Sequence, residues 1–155
     1  MAISGRVHSL HLSNGGVPKR AFPKAWLGTL GFEGDAHNDK VDHGGPDRAV
    51  CLWSLEVIQE LIAEGHALAP GAAGENITAE GLRWSEVVPG VLMGVGSEVK
   101  LEVASFAAPC RTIEHCFFDR KFTRISHKLY PTISRVYARV VRGGLVACGD
   151  AISLP

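Results

Sequence analysis

Apolar and polar positions alternate over short stretches of this chain, which is the pattern of strands that bury one face. Ile3 to Leu12 alternates in this way through Ile3, Gly5, Val7 and Ser9, and Ser-Asn-Gly-Gly at 13–16 predicts the turn that ends it. Val99, Leu101 and Val103 share one face of 98–104, with Glu98, Lys100 and Glu102 on the other. Ala49 to Trp53 is a brief apolar run that predicts a buried strand, and 145–155 predicts two short strands around a Gly149-Asp150 turn.

Helical spacing is rarer. Ser54 is placed to cap a helix whose apolar stripe is Leu55, Ile58, Leu61 and Ile62, with Glu56 in its first turn and Gly65 as its stop. A second helix is expected from about Cys116 to Tyr130, with Phe118, Phe122, Ile125 and Leu129 on one face and Pro131 after it. Residues 133–141 fit either period, and their β-branched C-terminal half favours a strand. The Gly- and Pro-rich stretches 66–76 and 87–98 read as barrel connections rather than linkers. Together these elements predict a mainly β fold, a closed or nearly closed β-barrel with two or three helices, formed by residues 1–155 as a single domain.

Composition narrows the classes. A chain of 155 residues that is 46% hydrophobic suits one globular core. The absence of a long apolar run argues against a membrane partner, and the N-terminal sequence does not read as a secretion signal, so the expected location is cytoplasmic. Formal net charge is zero, yet residues 111–142 carry eight Lys and Arg against Glu114 and Asp119, a local net of +6. That segment is a possible cationic source or simply a solvated basic face. Cys51, Cys110, Cys116 and Cys148 are irregularly spaced, which suggests reduced thiols and neither a disulfide framework nor a zinc ribbon.

Three groups of residues are candidates for chemistry. The run GDAHNDKVDHGGPDRAV at 34–50 is too polar for a core and too broken for a helix. Its histidines and aspartates read either as a metal site or as a hydrogen-bonded loop that shapes a pocket, with the Gly-Gly-Pro-Asp-Arg backbone and Arg48 as a lining for an anion. GENIT at 74–78 sets Glu75 and Asn76 beside a permissive glycine, or is a structural turn. Cys110 follows Ala-Ala-Pro and heads the basic segment, whose positive charge would favour its thiolate. It is a candidate nucleophile, persulfide carrier or soft-metal ligand, or else a buried inert thiol; Cys51 and Cys148 fit the inert role better. No P-loop, dinucleotide-binding glycine motif or serine triad is present.

In order and spacing, the run at 34–50, GENIT with GLRW at 81–84, Pro109-Cys110 and VYARVVRGGLVACGD at 136–150 resemble the MOSC domain, named from the C-terminal part of molybdenum cofactor sulfurases. The resemblance extends from about Val17-Pro18-Lys19 to the end and matches the small stand-alone bacterial type, with no pyridoxal phosphate site evident. It implies a β-barrel that binds the molybdenum cofactor (molybdopterin), with Cys110 as the critical thiol, either a molybdenum ligand or a sulfur carrier. Lys19, Asp35, His37, His43, Arg48, Glu75, Asn76 and Thr78 match motif positions and would line the pocket, and Arg111 stands beside the thiol. The implied activity is an oxidoreductase that reduces N-hydroxylated compounds; the alternative is a module holding a persulfide on Cys110 for cofactor or metal-cluster assembly. Expected partners are a small-molecule substrate and an electron-donor or sulfur-donor protein, with no nucleic acid. A separate donor is required because the sequence shows no Fe–S cysteine set and no flavin motif.

Overall fold

A computed structural model describes residues 2–35 and 45–155. In chain order the strands are β1 (Ala2–Leu12), β2 (Arg20–Phe22), β3 (Lys24–Gly28), β4 (Gly31–Phe32) and β5 (Val50–Ser54). Helix α1 (Leu55–Ala63) follows, then β6 (Ile77–Glu80), β7 (Leu92–Val95), β8 (Val99–Phe106), β9 (Val136–Arg142), β10 (Gly144–Ala147) and β11 (Ala151–Leu154). Among the described residues, β11, β7, β8, β9, β5, β6 and β1 are hydrogen-bonded in that order, and β1 pairs back onto β11 to close the barrel. The expected β-barrel is therefore present. Strand β2 adds to the outside of β1, and β10, β3 and β4 form a small second sheet.

Strand β1 is long enough to serve three neighbours in succession. Ala2 to Arg6 pair with β11, Arg6 to Leu10 with β6, and Leu10 to Leu12 with β2. Register shifts between Ile3 and Gly5 and between Val7 and Ser9 accompany the hand-over. Such irregularities bend a strand and sharpen its twist, as barrel closure requires. They also explain why simple alternation fails near the strand's end, where Leu10, His11 and Leu12 are all buried.

Strand β5 is buried along its whole length, which accounts for its unbroken apolar sequence. It runs parallel to β6, and α1 with the loop after it makes the crossover. The Ser54 side chain accepts a hydrogen bond from the Val57 amide at 3.2 Å and so caps α1, while Gly65, at φ +104°, takes the left-handed conformation that ends it. The buried stripe of α1 is Val57, Ile58 and Leu61; Ile62 faces solvent, correcting the expected face by one position. On β8, Val99, Leu101 and Val103 point inward as their alternation requires. The stretch at 87–98, read as a connection, contains β7.

The second expected helix is not α-helical. Residues Arg111–Cys116 and Phe122–Ile125 form short 3-10 turns instead. Between them the Asp119 carboxylate accepts the Lys121 amide at 3.0 Å and Arg120 adopts φ +59°, a local turn that competes with the helix. Of the proposed stripe, Ile125 is fully buried, whereas Phe118 and Leu129 are 69% and 60% exposed. A helical period cannot hold where half of its apolar positions find no core. The tail does form two strands, β10 and β11, and the C-terminal half of 133–141 is β9. Among the described residues, no helix is long and apolar enough to cross a membrane.

Replacing Ser54 by Ala removes the cap of the crossover helix and is expected to cost about 1 kcal/mol. The urea midpoint should fall with an unchanged slope; an unshifted midpoint would show that the cap is dispensable.

Candidate functional site

Five of the motif residues converge inside the barrel. The Asp35 carboxylate receives the Lys19 ammonium at 2.7 and 2.8 Å, the Ser13 amide at 2.9 Å and the Asn76 side-chain amide at 2.9 Å. Both charged side chains are almost wholly buried, at 7% and 2% exposure. Asn76 spends its other groups on backbone: its amide also donates to the His11 carbonyl at 3.2 Å, and its oxygen accepts the Cys51 amide at 3.0 Å. A single side chain thus joins the end of β1, the start of β5 and the loop bearing Asp35.

Glu75, fully buried, continues this framework. One carboxylate oxygen accepts the Gly71 amide at 2.9 Å and the Thr78 hydroxyl at 3.0 Å, and the other has no partner. Burial raises the pKa of this carboxyl above the ordinary value, against the bonds from Gly71 and Thr78 that lower it. Gly71 packs so closely on His11 that a β-carbon would lie 2.9 Å from the imidazole, and its φ of +87° also demands glycine. His11 is itself buried, and desolvation lowers its pKa to about 4, although its ring is held to the Glu75 backbone.

Arg135, also buried, ties this loop to the next. Its guanidinium donates to the Ala73 carbonyl at 2.8 Å and to the Ala108 carbonyl at 3.5 Å, and its own carbonyl accepts the Ala107 amide. Two residues beyond Ala108 stands Cys110, half-buried, with its sulfur 2.8 Å from the Thr112 hydroxyl. Tyr137 lies opposite Cys51 in the β5–β9 pairing and packs with it and Ala107. The Arg48 guanidinium stands 5.8 Å from the centre of the Tyr137 ring. Burial raises the pKa of the phenol; Cys51 and Cys110 add to that shift, while Arg135 and Arg48 oppose it. Burial also pushes Cys51 up to about 11, which keeps it a neutral thiol and agrees with its inert reading.

The structure alters several expectations. Lys19 and Asn76 are bonded to Asp35, and Glu75 to Thr78, in one buried framework, while Arg48 stands over Tyr137 and Cys110 bonds Thr112. Arg111 is exposed. His37 and His43, with Asp39 and Asp42, lie outside the described residues. Cys148 is exposed rather than buried. The basic segment is largely committed elsewhere: Arg124 pairs with Glu64, Arg139 with Asp47 and Glu102, and Arg120 with Glu114. Arg135 alone turns inward from it. Cys116 is buried beside His115, at 3.7 Å, and among the described residues no three His, Cys, Asp or Glu side chains are grouped to hold a metal ion. His11 and Tyr137 were not singled out by sequence, since a histidine or tyrosine in a strand carries no spacing signal. Arg135, a lone cation next to an apolar strand, carried a faint one.

The family model described as MOSC domain matches residues 39–153. Protein YiiM of Escherichia coli (strain K12) is 34% identical over 95 residues, covering 59% of this chain and 42% of the relative. The uncharacterized protein YflK of Bacillus subtilis (strain 168) is 31% identical over 144 residues, covering 90% of this chain and 62% of the relative. The chain thus spans less than two thirds of the length of either. Crystal structures of YiiM from Geobacillus stearothermophilus and from E. coli superpose with TM-scores of 0.74 and 0.71 at 21% and 22% identity. Each covers 97% of this chain, which in turn covers 75% and 69% of theirs, and at that identity they establish the fold.

Two predictions follow from the framework. Asp35→Asn strands the buried Lys19 charge and should cost roughly 3–5 kcal/mol, whereas Lys19→Met/Asp35→Asn should recover at least about 1 kcal/mol of that loss in chemical denaturation. The second concerns acid. His11 titrates at about 4 when folded against an ordinary 6.5, so between these values the unfolded chain binds the extra proton. Stability present above pH 6.5 is therefore lost as pH falls toward 4, by up to about 3 kcal/mol. Glu75 acts in the opposite sense, since its raised pKa removes stability as pH rises, but it is common to both proteins when wild type is compared with His11→Gln. The variant should show a flatter stability profile over pH 4 to 6.5; parallel profiles would refute neutral burial of the imidazole.

Proposed function

From the premise that this chain belongs to the MOSC domain family, which is associated with molybdenum cofactor binding, we propose that it holds the molybdenum cofactor through Cys110 and reduces N-hydroxylated small molecules. The observation that carries this reading is the position of Cys110: a half-buried thiol two residues beyond Ala108, whose carbonyl the buried Arg135 guanidinium holds, and near enough to Tyr137 to bear on its phenol.

The residues present suit such a group. A thiolate is a soft donor of the kind molybdenum accepts, and the Cys110 sulfur is neither fully enclosed nor paired to another cysteine. The anionic phosphate of a pterin cofactor calls for cationic donors, and the candidates are Arg111, next to the thiol in sequence, and Arg48, over the Tyr137 ring. Arg135 holds the Ala108 carbonyl two residues before Cys110, and the Thr112 hydroxyl is hydrogen-bonded to the sulfur. The Asp35 framework, through Asn76, fixes the end of β1 and the start of β5, the strand that pairs with the Tyr137 strand.

When bound, the cofactor supplies two-electron redox chemistry at a metal able to accept oxygen. Reduction of an N-hydroxyl compound consumes two electrons and two protons, breaks the N–O bond, and releases the amine and water. The electrons come from a separate donor protein. The protein's own part is to hold the cofactor, orient the substrate and exclude bulk water. The half-buried thiol also supports a second reading, a carrier that holds a persulfide on Cys110 and hands its sulfur to an assembly partner.

Protein purified from a host that makes the cofactor should contain about one molybdenum per chain. Cys110→Ala should lose it, with the loss of N-hydroxyl reduction by a chemical electron donor. A mass gain of one sulfur atom on Cys110 without molybdenum would instead support the carrier. Unchanged metal, sulfur and activity in Cys110→Ala would sink both.

A further inference from the structure

We infer that Arg139 is a positioning residue: paired with both Asp47 and Glu102, it clips the turn Pro46–Arg48 onto the outer face of β9 and so sets Arg48 over Tyr137 to receive an anionic phosphate. The inference rests on the reading of Arg48 as a cation for that phosphate, given above. Asp47 and Arg139 belong to two motifs far apart in sequence, and that reading gives neither of them a role. Val136, Ala138 and Val140 enter the main core, so strand alternation turns Tyr137 and Arg139 outward on the opposite face of β9. On that face, two successive residues of the turn meet two alternate residues of the strand. The Arg139 Nε donates to the Asp47 carboxylate at 2.8 Å, and the Arg48 guanidinium lies 5.8 Å from the centre of the Tyr137 ring.

The turn is short and stiff. Pro46 fixes one of its backbone angles, and the Arg48 amide donates to the Gly45 carbonyl at 3.1 Å. Directly after Arg48, Ala49 is wholly buried and β5 begins at Val50. The main chain of Arg48 is thus held on one side by burial and on the other by the Asp47 pair. An exposed ion pair ordinarily contributes little, because ordering two long side chains offsets the attraction. Arg139 differs, since Glu102 faces it directly across the β8–β9 ladder and accepts from its terminal nitrogen at 2.6 Å. The guanidinium is therefore already oriented where Asp47 meets it. Asp47 itself is 71% exposed, so the clip governs where the turn sits and has little bearing on the stability of the core.

The sign of an effect separates positioning from a simple field. Asp47 is negative, so as a bare charge it repels an anion at the neighbouring Arg48, and its removal would tighten binding. As the anchor of the turn it has the opposite effect: its removal frees Arg48 to move, and binding weakens. Arg139 cannot make this distinction, because its charge and its positioning role both favour an anion nearby. Asp47 is therefore the residue that decides.

The test titrates the full chain with inorganic phosphate at a constant salt concentration of about 20 mM and follows hydrogen exchange of the Arg48 amide. Asp47→Ala and Arg139→Met should each weaken phosphate binding by about threefold or more and speed that exchange, at an unchanged melting temperature. Arg139→Lys keeps a charge within reach of one carboxylate and should restore part of the loss. Arg48→Gln should weaken binding by about tenfold or more, and in that background neither Asp47→Ala nor Arg139→Met should weaken it further. Asp47→Ala that binds phosphate as tightly as the wild type, or more tightly, overturns the positioning role. So does a further loss on either substitution once Arg48 is gone, for then the clip serves another group. A wild type that binds no phosphate, or Arg48→Gln that binds it equally, overturns the reading of Arg48 instead. Exchange at Arg48 then decides the clip by itself, and unchanged rates in both variants sink it.

Discussion

The structure depends on one carboxylate. Asp35 is buried, and its hydrogen-bond partners come from the turn after β1, from Lys19 and from Asn76. Isolated, such a charge would be expelled from the interior; fully coordinated, it dictates where each of these segments must lie. Asn76 carries the constraint onward by bonding the backbone of both β1 and β5. The polar run at 34–50 is therefore anchored at its first carboxylate to the barrel interior, and Arg48, near its end, stands over the Tyr137 ring.

A second constraint of the same type stands behind Cys110. Arg135 brings a full positive charge into the protein and spends it on two carbonyls, one from the loop before Glu75 and one from the segment before the thiol. Charge-assisted bonds to backbone are stronger than neutral ones and fix main chain rather than side chain. The thiol itself stays partly open, while the main chain just before it is held by that guanidinium. Among the described residues, Glu75, His11 and Arg135 each keep one buried polar atom without a hydrogen-bond partner.

Much of the barrel was legible in the sequence because β5, β8 and the tail strands obey simple periods and are bounded by glycine. The helix expected at 116–130 was not, since the apolar period there is real but two of its four positions point to solvent and Asp119 starts a turn. The motif residues were legible as a set, yet their division into framework and edge was not. Lys19 and Asp35 are 16 positions apart and Asp35 and Asn76 are 41 apart, so only the folded chain shows that they satisfy one another. The basic segment misled for a similar reason: charge counted along the sequence ignores the carboxylates that α1 and β8 bring to Arg124 and Arg139.

The way β1 closes the barrel has a kinetic consequence. Its first residues pair with β11, and the Leu154 amide reaches the Ser4 hydroxyl across 150 positions of chain. Few contacts cost more loop-closure entropy, so this seam belongs to the last events of folding. During synthesis β1 and β6 can find each other early, while one edge of β1 stays open until β11 leaves the ribosome. For that interval the nascent chain displays an unpaired strand, the feature that invites pairing with other chains. The charged Arg6 near the middle of β1, paired to Glu80 of β6, marks the point where the early edge gives way to the late one.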